Sequence, residues 1–173
     1  MKIFVTGHKG YIGTHLIGLL KEAGHSVTAC DINLFEESQI AEVNTPDLEL
    51  IKDIRDITID DLKGHDCVMH LAGISNDPMG DLNPQITYSI NKDASINLAK
   101  LSKESGVKKF LFSSSCSIYG KGVNNDLNEN APVNPLTPYA ISKIEVEKVL
   151  AEMADENFCA VFWVVIDEVS SKW

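Results

Sequence analysis

Basic residues are scarce in this sequence. Its 15 Lys and Arg stand against 25 Asp and Glu, giving a net charge of −10, and the basic residues form no long run. A surface of that sign does not suit a phosphate backbone, which excludes nucleic-acid binding as the main activity. A small anionic ligand is not excluded, because backbone amides hold phosphates locally. Long apolar runs are missing too: strand-like stretches such as residues 67–72 and 110–112 fall far short of the roughly 20 residues that span a bilayer. Residues 1–6 lead straight into a strand and a glycine turn, without the basic start, apolar stretch and small-residue cleavage site of a signal peptide. No membrane association and a cytoplasmic location are therefore expected. The four cysteines (Cys30, Cys67, Cys116, Cys159) lie far apart and form no Cys-x-x-Cys pair. They read as small buried hydrophobes in a reducing compartment, and no metal site is expected. There is no internal repeat and no low-complexity linker.

What is present is an alternation. With 173 residues, 44% of them hydrophobic, the chain is long enough for one domain with a substantial core. Strands are predicted at Lys2–Thr6, Ser26–Asp31, 48–52, 66–72, 109–113 and 159–166. Helices are predicted at 11–23, with Ile12, Leu16, Leu20 and Ala23 on one side and Gly24 as the stop, at 84–105, and at Pro138–Met153. Strands alternating with helices imply an α/β fold: a Rossmann-like, doubly wound parallel sheet with helices on both faces. The segment between Gly120 and Pro138 is polar and proline-rich and reads as a surface loop.

The strongest local signal is Thr6-Gly7-His8-Lys9-Gly10-Tyr11-Ile12-Gly13, set between the first strand and the first helix. Glycines allow a tight turn, close approach to a pyrophosphate and packing of the helix on the sheet. The helix start then favours the phosphates. Asp31 ends the second strand, where a carboxylate accepts from both adenosine ribose hydroxyls and repels a 2′-phosphate. No arginine follows in Ile32-Asn33, so NAD is expected over NADP. Asp53-Ile54 follows the third strand; Asp53 is placed to bond the adenine amino group and Ile54 to pack on the ring. His70-Leu71-Ala72-Gly73 closes the fourth strand, where small residues let backbone pass close to a cofactor, with His70 itself structural.

Tyr139 and Lys143 share one helix face at i, i+4. A tyrosine is a poor base at neutral pH with its ordinary pKa of ~10, and a nearby ammonium favours the phenolate. Such a tyrosinate can take a proton from a hydroxyl as carbon gives hydride to nicotinamide, while the lysine also bonds the nicotinamide ribose. Ser113-Ser114-Ser115-Cys116-Ser117-Ile118-Tyr119-Gly120 follows the fifth strand, at the sheet edge where ligands bind. A serine hydroxyl there can hold the reacting oxygen against the tyrosine.

Taken in order, Thr6–Gly13, Asp31, Asp53-Ile54, His70–Gly73, Asn91, Ser113–Gly120 and the stretch from Glu129 through Pro132, Pro135 and Pro138 to Lys143 resemble the extended short-chain dehydrogenase/reductases of the NAD-dependent epimerase/dehydratase type, over about residues 1–160. The resemblance implies catalytic roles for Ser115, Tyr139 and Lys143. It implies cofactor contacts from Gly7, Gly10, Tyr11, Ile12, Gly13, Asp31, Asp53, Ile54, Leu71, Ala72, Gly73, Asn91, Ser113, Tyr139 and Lys143. The implied substrate is a nucleotide-diphosphate sugar. The family's 4,6-dehydratases carry Asp-Glu after the catalytic Ser/Thr, where this chain has Cys116-Ser117, so 4-epimerisation through a 4-keto intermediate is favoured. An NDP-keto-sugar reductase and a non-catalytic NAD-binding module are the alternatives. The family continues into a smaller, largely helical substrate domain that this sequence lacks, and residues 162–173 lack the arginine and asparagine expected on and after the sixth strand. On that reading the chain is truncated and its activity impaired, and the apolar tail of Val164, Val165, Ile166, Val169 and Trp173 offers a face for a homodimer.

Overall fold

The computed structural model describes residues 1–34, 44–75, 82–120 and 131–165, with residues 164 and 165 as backbone only. Glu129, Ile166, Val169 and Trp173 lie outside these residues, as do the side chains of Val164 and Val165 that the homodimer reading uses. Six strands, β1 (Lys2–Thr6), β2 (Ser26–Asp31), β3 (Leu48–Ile51), β4 (Cys67–His70), β5 (Lys109–Ser115) and β6 (Cys159–Val165), form one sheet in the order β3-β2-β1-β4-β5-β6. Every pairing is parallel. Strand order reverses direction between β1 and β4, which opens a crevice at the carboxyl ends of those strands.

Each face of the sheet carries its own core, and the alternation within β1 shows why. Ile3 and Val5 pack with Val27, Ala29 and Cys67 against Ile17 and Leu20 of α1 (Tyr11–Glu22). Phe4 points the other way, into a cluster with Val68, Leu98, Phe110, Phe112, Val146, Leu150 and Phe158. A central parallel strand is thus buried on both sides and reads as a nearly continuous apolar run. The second cluster is covered by α4 (Ser95–Glu104) and α5 (Pro138–Met153). Two further short helices are α2 (Ile59–Leu62) and α3 (Pro84–Thr87). Thr58 and Asp61 form a reciprocal capping box on α2.

Several predicted boundaries move. β4 stops at His70 and β5 continues to Ser115. The helix predicted over residues 84–105 is broken by a wider π-helical segment, Tyr88–Ala94, between α3 and α4. Cys30 and Cys67 are buried as expected, but Cys116 and Cys159 are exposed. Among the described residues no helix is long and apolar enough to cross a membrane, and no group of His, Cys, Asp and Glu gathers to hold a metal ion.

Candidate cofactor and active site

The glycine turn is built by exclusion of side chains. Gly7 has φ +76°, and a Cβ there would lie 2.6 Å from the Ala72 nitrogen and 2.8 Å from its Cα. A Cβ on Gly13 would lie 2.5 Å from the His8 Cα. Gly7 therefore lets the turn press on the backbone after β4, and Gly13 lets α1 press on the turn. The turn is tied down by Gly7 N–H donating to the Cys30 carbonyl at 2.9 Å and Gly10 N–H donating to the Gly7 carbonyl at 3.2 Å. No side chain caps α1 at Gly10, so its first amides remain the polar groups a phosphate can meet. Tyr11 and Ile12 are exposed; what they offer a pyrophosphate is their backbone. The shape suits a dinucleotide turn, and it depends on both glycines: a methyl group at Gly7 or Gly13 would collide with the backbone that forms it.

Asp31 closes β2 beside this turn. Its carboxylate accepts from Lys9 N–H at 3.0 Å and Asn33 N–H at 2.9 Å. That orients both oxygens at the strand end while each retains acceptor capacity. The lysine ammonium of Lys9 reaches Asn33 Oδ1 and Glu49 Oε1, each at 2.8 Å. Lys9 was not singled out in the sequence, where only a following arginine was considered.

At the adenine end both predicted residues also have partners within the protein. Asp53 accepts from Arg55 N–H at 2.8 Å and pairs both oxygens with the Arg55 guanidinium, at 3.0 and 2.6 Å. The arginine holds its carboxyl below the usual range, and the side chain caps a short turn, Ile54–Asp56. Ile54 is only 7% exposed and belongs to the core. Asn91 is held in place by the segment after β4. Its amide donates to the Ile74 carbonyl and accepts from Ile74 N–H, both at 2.7 Å. It therefore locks the segment after β4, and Gly73 makes room, since a Cβ there would lie 3.0 Å from Asn91 Oδ1.

A directed chain of hydrogen bonds runs behind Leu71 and Ala72. Ser95 Oγ gives its proton to the Asn91 carbonyl at 2.7 Å, so it can only accept from His70 Nε2, also at 2.7 Å. His70 is then the Nε2–H tautomer, and Nδ1 accepts from the Thr6 hydroxyl at 2.6 Å. Burial, with the Lys143 charge added, pushes His70 down to about 3. It stays neutral and clamps β1, β4 and α4 together, the structural role read from the sequence.

The three serines at the end of β5 have three different tasks. The Ser113 carbonyl accepts from the Lys143 ammonium at 2.8 Å. The Ser114 hydroxyl donates to Glu147. Ser115 Oγ accepts from Ser117 N–H at 3.2 Å and Ser117 Oγ at 2.9 Å, leaving its own proton to donate to a reacting oxygen. Tyr139 enters on the first turn of α5, started by Pro138 and capped by the Thr137 hydroxyl, which accepts from Ala140 N–H at 3.2 Å. Gly120, with φ +59°, lets the chain before that cap pass close: a Cβ there would collide with the Asn134 carbonyl, and Asn134 N–H donates to the Ile118 carbonyl at 2.8 Å. Lys143 lies one helical turn on, 5% exposed, its Nζ 5.4 Å from the Tyr139 ring centroid and 4.6 Å from that of Phe112. Burial lowers its proton affinity to about 8, opposed by Glu147.

Because β1, β4 and β5 are neighbours and parallel, Gly7, Leu71–Gly73 and Ser115 all emerge on one sheet edge. This is the edge on which the dinucleotide turn lies. Residues 3–171 match the model of the NAD dependent epimerase/dehydratase family. The chain belongs to that family. UDP-glucose 4-epimerase of Lactobacillus helveticus is 31% identical over 159 residues, covering 87% of this chain and 46% of that protein. UDP-N-acetylglucosamine 4-epimerase from Methanobrevibacter ruminantium, solved with UDP-N-acetylmuramic acid, superposes with a TM-score of 0.83 at 29% identity, over 93% of this chain and 53% of that one. MoeE5, solved with UDP-glucose and NAD, gives 0.80 at 27% identity, over 95% and 53%. This family member thus spans about half the length of the curated relatives it matches. Its α/β fold is that of these NAD-dependent enzymes, and NAD is the family's cofactor.

Proposed function

We propose that this chain is the NAD-binding part of a nucleotide-sugar 4-epimerase. The observation that carries the reading is Lys143, buried against the Tyr139 ring at the sheet edge that also holds the glycine turn and Ser115. Gly7, Gly10 and Gly13 shape the pyrophosphate cradle with the amides of Tyr11 and Ile12. Asp31 takes the adenosine ribose and disfavours a 2′-phosphate. The backbone of Leu71, Ala72 and Gly73 borders the dinucleotide. Bound NAD supplies a reversible hydride acceptor.

In the reaction Tyr139, as phenolate favoured by the Lys143 ammonium, takes the proton from the sugar O4. Ser115 donates to the same oxygen and steadies it as the C4–H bond breaks to give a 4-keto sugar. Tyr139 returns its proton to O4 when C4 regains hydride on the opposite face, so no net oxidation occurs. Cys116-Ser117 provide no acid and base for loss of water, which favours epimerisation over 4,6-dehydration.

The relatives carry as much chain again outside the matched span, and substrate orientation is worth several powers of ten in rate. The 173 residues alone should therefore bind NAD without measurable epimerisation of UDP-glucose or UDP-galactose. Joined to the remaining half of the Lactobacillus helveticus enzyme, they should interconvert the two, and Tyr139→Phe in that fusion should abolish turnover with NAD affinity nearly unchanged. Near-normal kcat in Tyr139→Phe would refute the assignment of the base.

A further inference from the structure

A buried ammonium needs an anion near it, or burial drives off its proton. Lys143 is 5% exposed, and its one described hydrogen bond goes to a neutral acceptor, the Ser113 carbonyl. The groups facing it are few. From β5 come the Phe112 ring and that carbonyl. From β4 comes His70, which is neutral. From α5 come Tyr139 and, one turn beyond Lys143, Glu147. The Tyr88–Ala94 segment packed on α5 brings Lys92 and Asp93, but Lys92 engages Glu145 at 3.4 Å and Asp93 at 3.6 Å on the surface. The turn after Ser115 brings Cys116, which is exposed, and Tyr119. Glu147 is thus the described carboxylate whose charge acts on Lys143. It is held from the neighbouring strand by the hydroxyl of Ser114, a residue 3% exposed.

We propose that Glu147, held by Ser114, is a positioning residue that supplies the counter-charge keeping the Lys143 ammonium in place against Tyr139. The inference rests on the reading of Tyr139 and Lys143 as base and helper, and it adds a function to the middle serine of the run. Burial already lowers the Lys143 pKa to about 8 and Glu147 opposes that fall, so removing this carboxylate moves the ammonium further toward neutrality. Ser114 and Glu147 would then determine whether Tyr139 has a cation beside it, without either one touching substrate or cofactor.

The test uses the purified 173-residue chain with isotope-labelled lysine and tyrosine, titrated by NMR, with Lys143→Met and Tyr139→Phe as assignment variants. Glu147→Gln should lower the proton affinity of Lys143 about tenfold, one pH unit, and raise the midpoint of Tyr139. Ser114→Ala should act in the same direction and less strongly, and Glu147→Asp should recover part of the wild-type value. An unmoved Lys143 midpoint in folded Glu147→Gln would overturn the inference. If Glu147→Gln does not fold, Ser114→Ala decides in the same way. If Lys143→Met leaves the Tyr139 midpoint unmoved, the base-and-helper reading falls instead, and the Lys143 midpoint in Glu147→Gln still judges the counter-charge by itself.

Discussion

The His70 clamp gives a pH dependence that can be worked out in advance. An unfolded histidine takes up a proton near pH 6.5, whereas the folded chain holds His70 neutral down to about 3. Above pH 6.5 neither state binds the proton and the difference vanishes. Below it the unfolded chain gains a proton that the folded chain cannot, so stability falls as pH falls. Integrated from pH 7 to pH 5, the loss is about 2 kcal/mol, and it changes little for any folded value below about 4. For a domain of this size that corresponds to a fall in Tm of roughly 4–8 °C. The carboxylates held below their usual range, Asp47, Glu49, Asp53, Asp61 and Asp155, lose their contributions closer to pH 4, outside this window. His70→Gln is the informative variant. Its amide keeps a donor for Ser95 and an acceptor for Thr6, but it does not titrate. Urea unfolding of both proteins between pH 5 and 7 should show a shallower pH slope for His70→Gln by that 2 kcal/mol. Equal slopes would refute the neutral, doubly bonded His70.

Further outcomes follow from the cradle. Gly7→Ala combines a left-handed backbone with a methyl 2.6 Å from the Ala72 nitrogen; it should cost about 3 kcal/mol in urea unfolding and remove NAD binding by calorimetry. NAD should bind far more tightly than NADP, and Asp31→Ala should narrow that gap by weakening NAD and relieving repulsion of the 2′-phosphate; equal affinities in the wild type would exclude Asp31 as the ribose acid. Saturation with NAD at ~100 times Kd should stabilise the chain by about 2.7 kcal/mol, read as a rise in Tm.

The alternation of strands and helices was legible because each strand has one strong physical signature. A parallel strand buried on both faces must be apolar over its length, as Ile3, Phe4 and Val5 are. Boundaries were less legible where residues carry no such signature. Ser113, Ser114 and Ser115 read as the start of a loop, yet β6 pairs with all three, Ser113 opposite Trp163 and Ser115 opposite Val165. Tertiary pairing overrides a weak local preference there. The π-helical segment at Tyr88–Ala94 was hidden for a related reason: the helical repeat of Ala94, Leu98 and Leu101 begins only at its last residue, and a short wide segment shifts phase without altering composition.

The site divides along the same line. Glycines that forbid a side chain, and a Tyr and Lys one turn apart, are fixed by local geometry, so their positions could be inferred from spacing. What could not be inferred is which polar group meets which across the sheet. Asp53 is answered by Arg55 two residues away, and Asn91 spends its amide on Ile74; either pairing is one of many that the sequence allows. Glu147 shows the limit most clearly. Its spacing, one turn beyond Lys143 and two beyond Tyr139, places it on their helix face, but spacing alone does not separate it from Glu145. The separation comes from the strand opposite: Ser114 holds Glu147 inward while Lys92 draws Glu145 to the surface. A serine run that looks redundant in sequence thus carries distinct instructions at successive positions, because a strand turns successive side chains to opposite faces and offers its carbonyls besides.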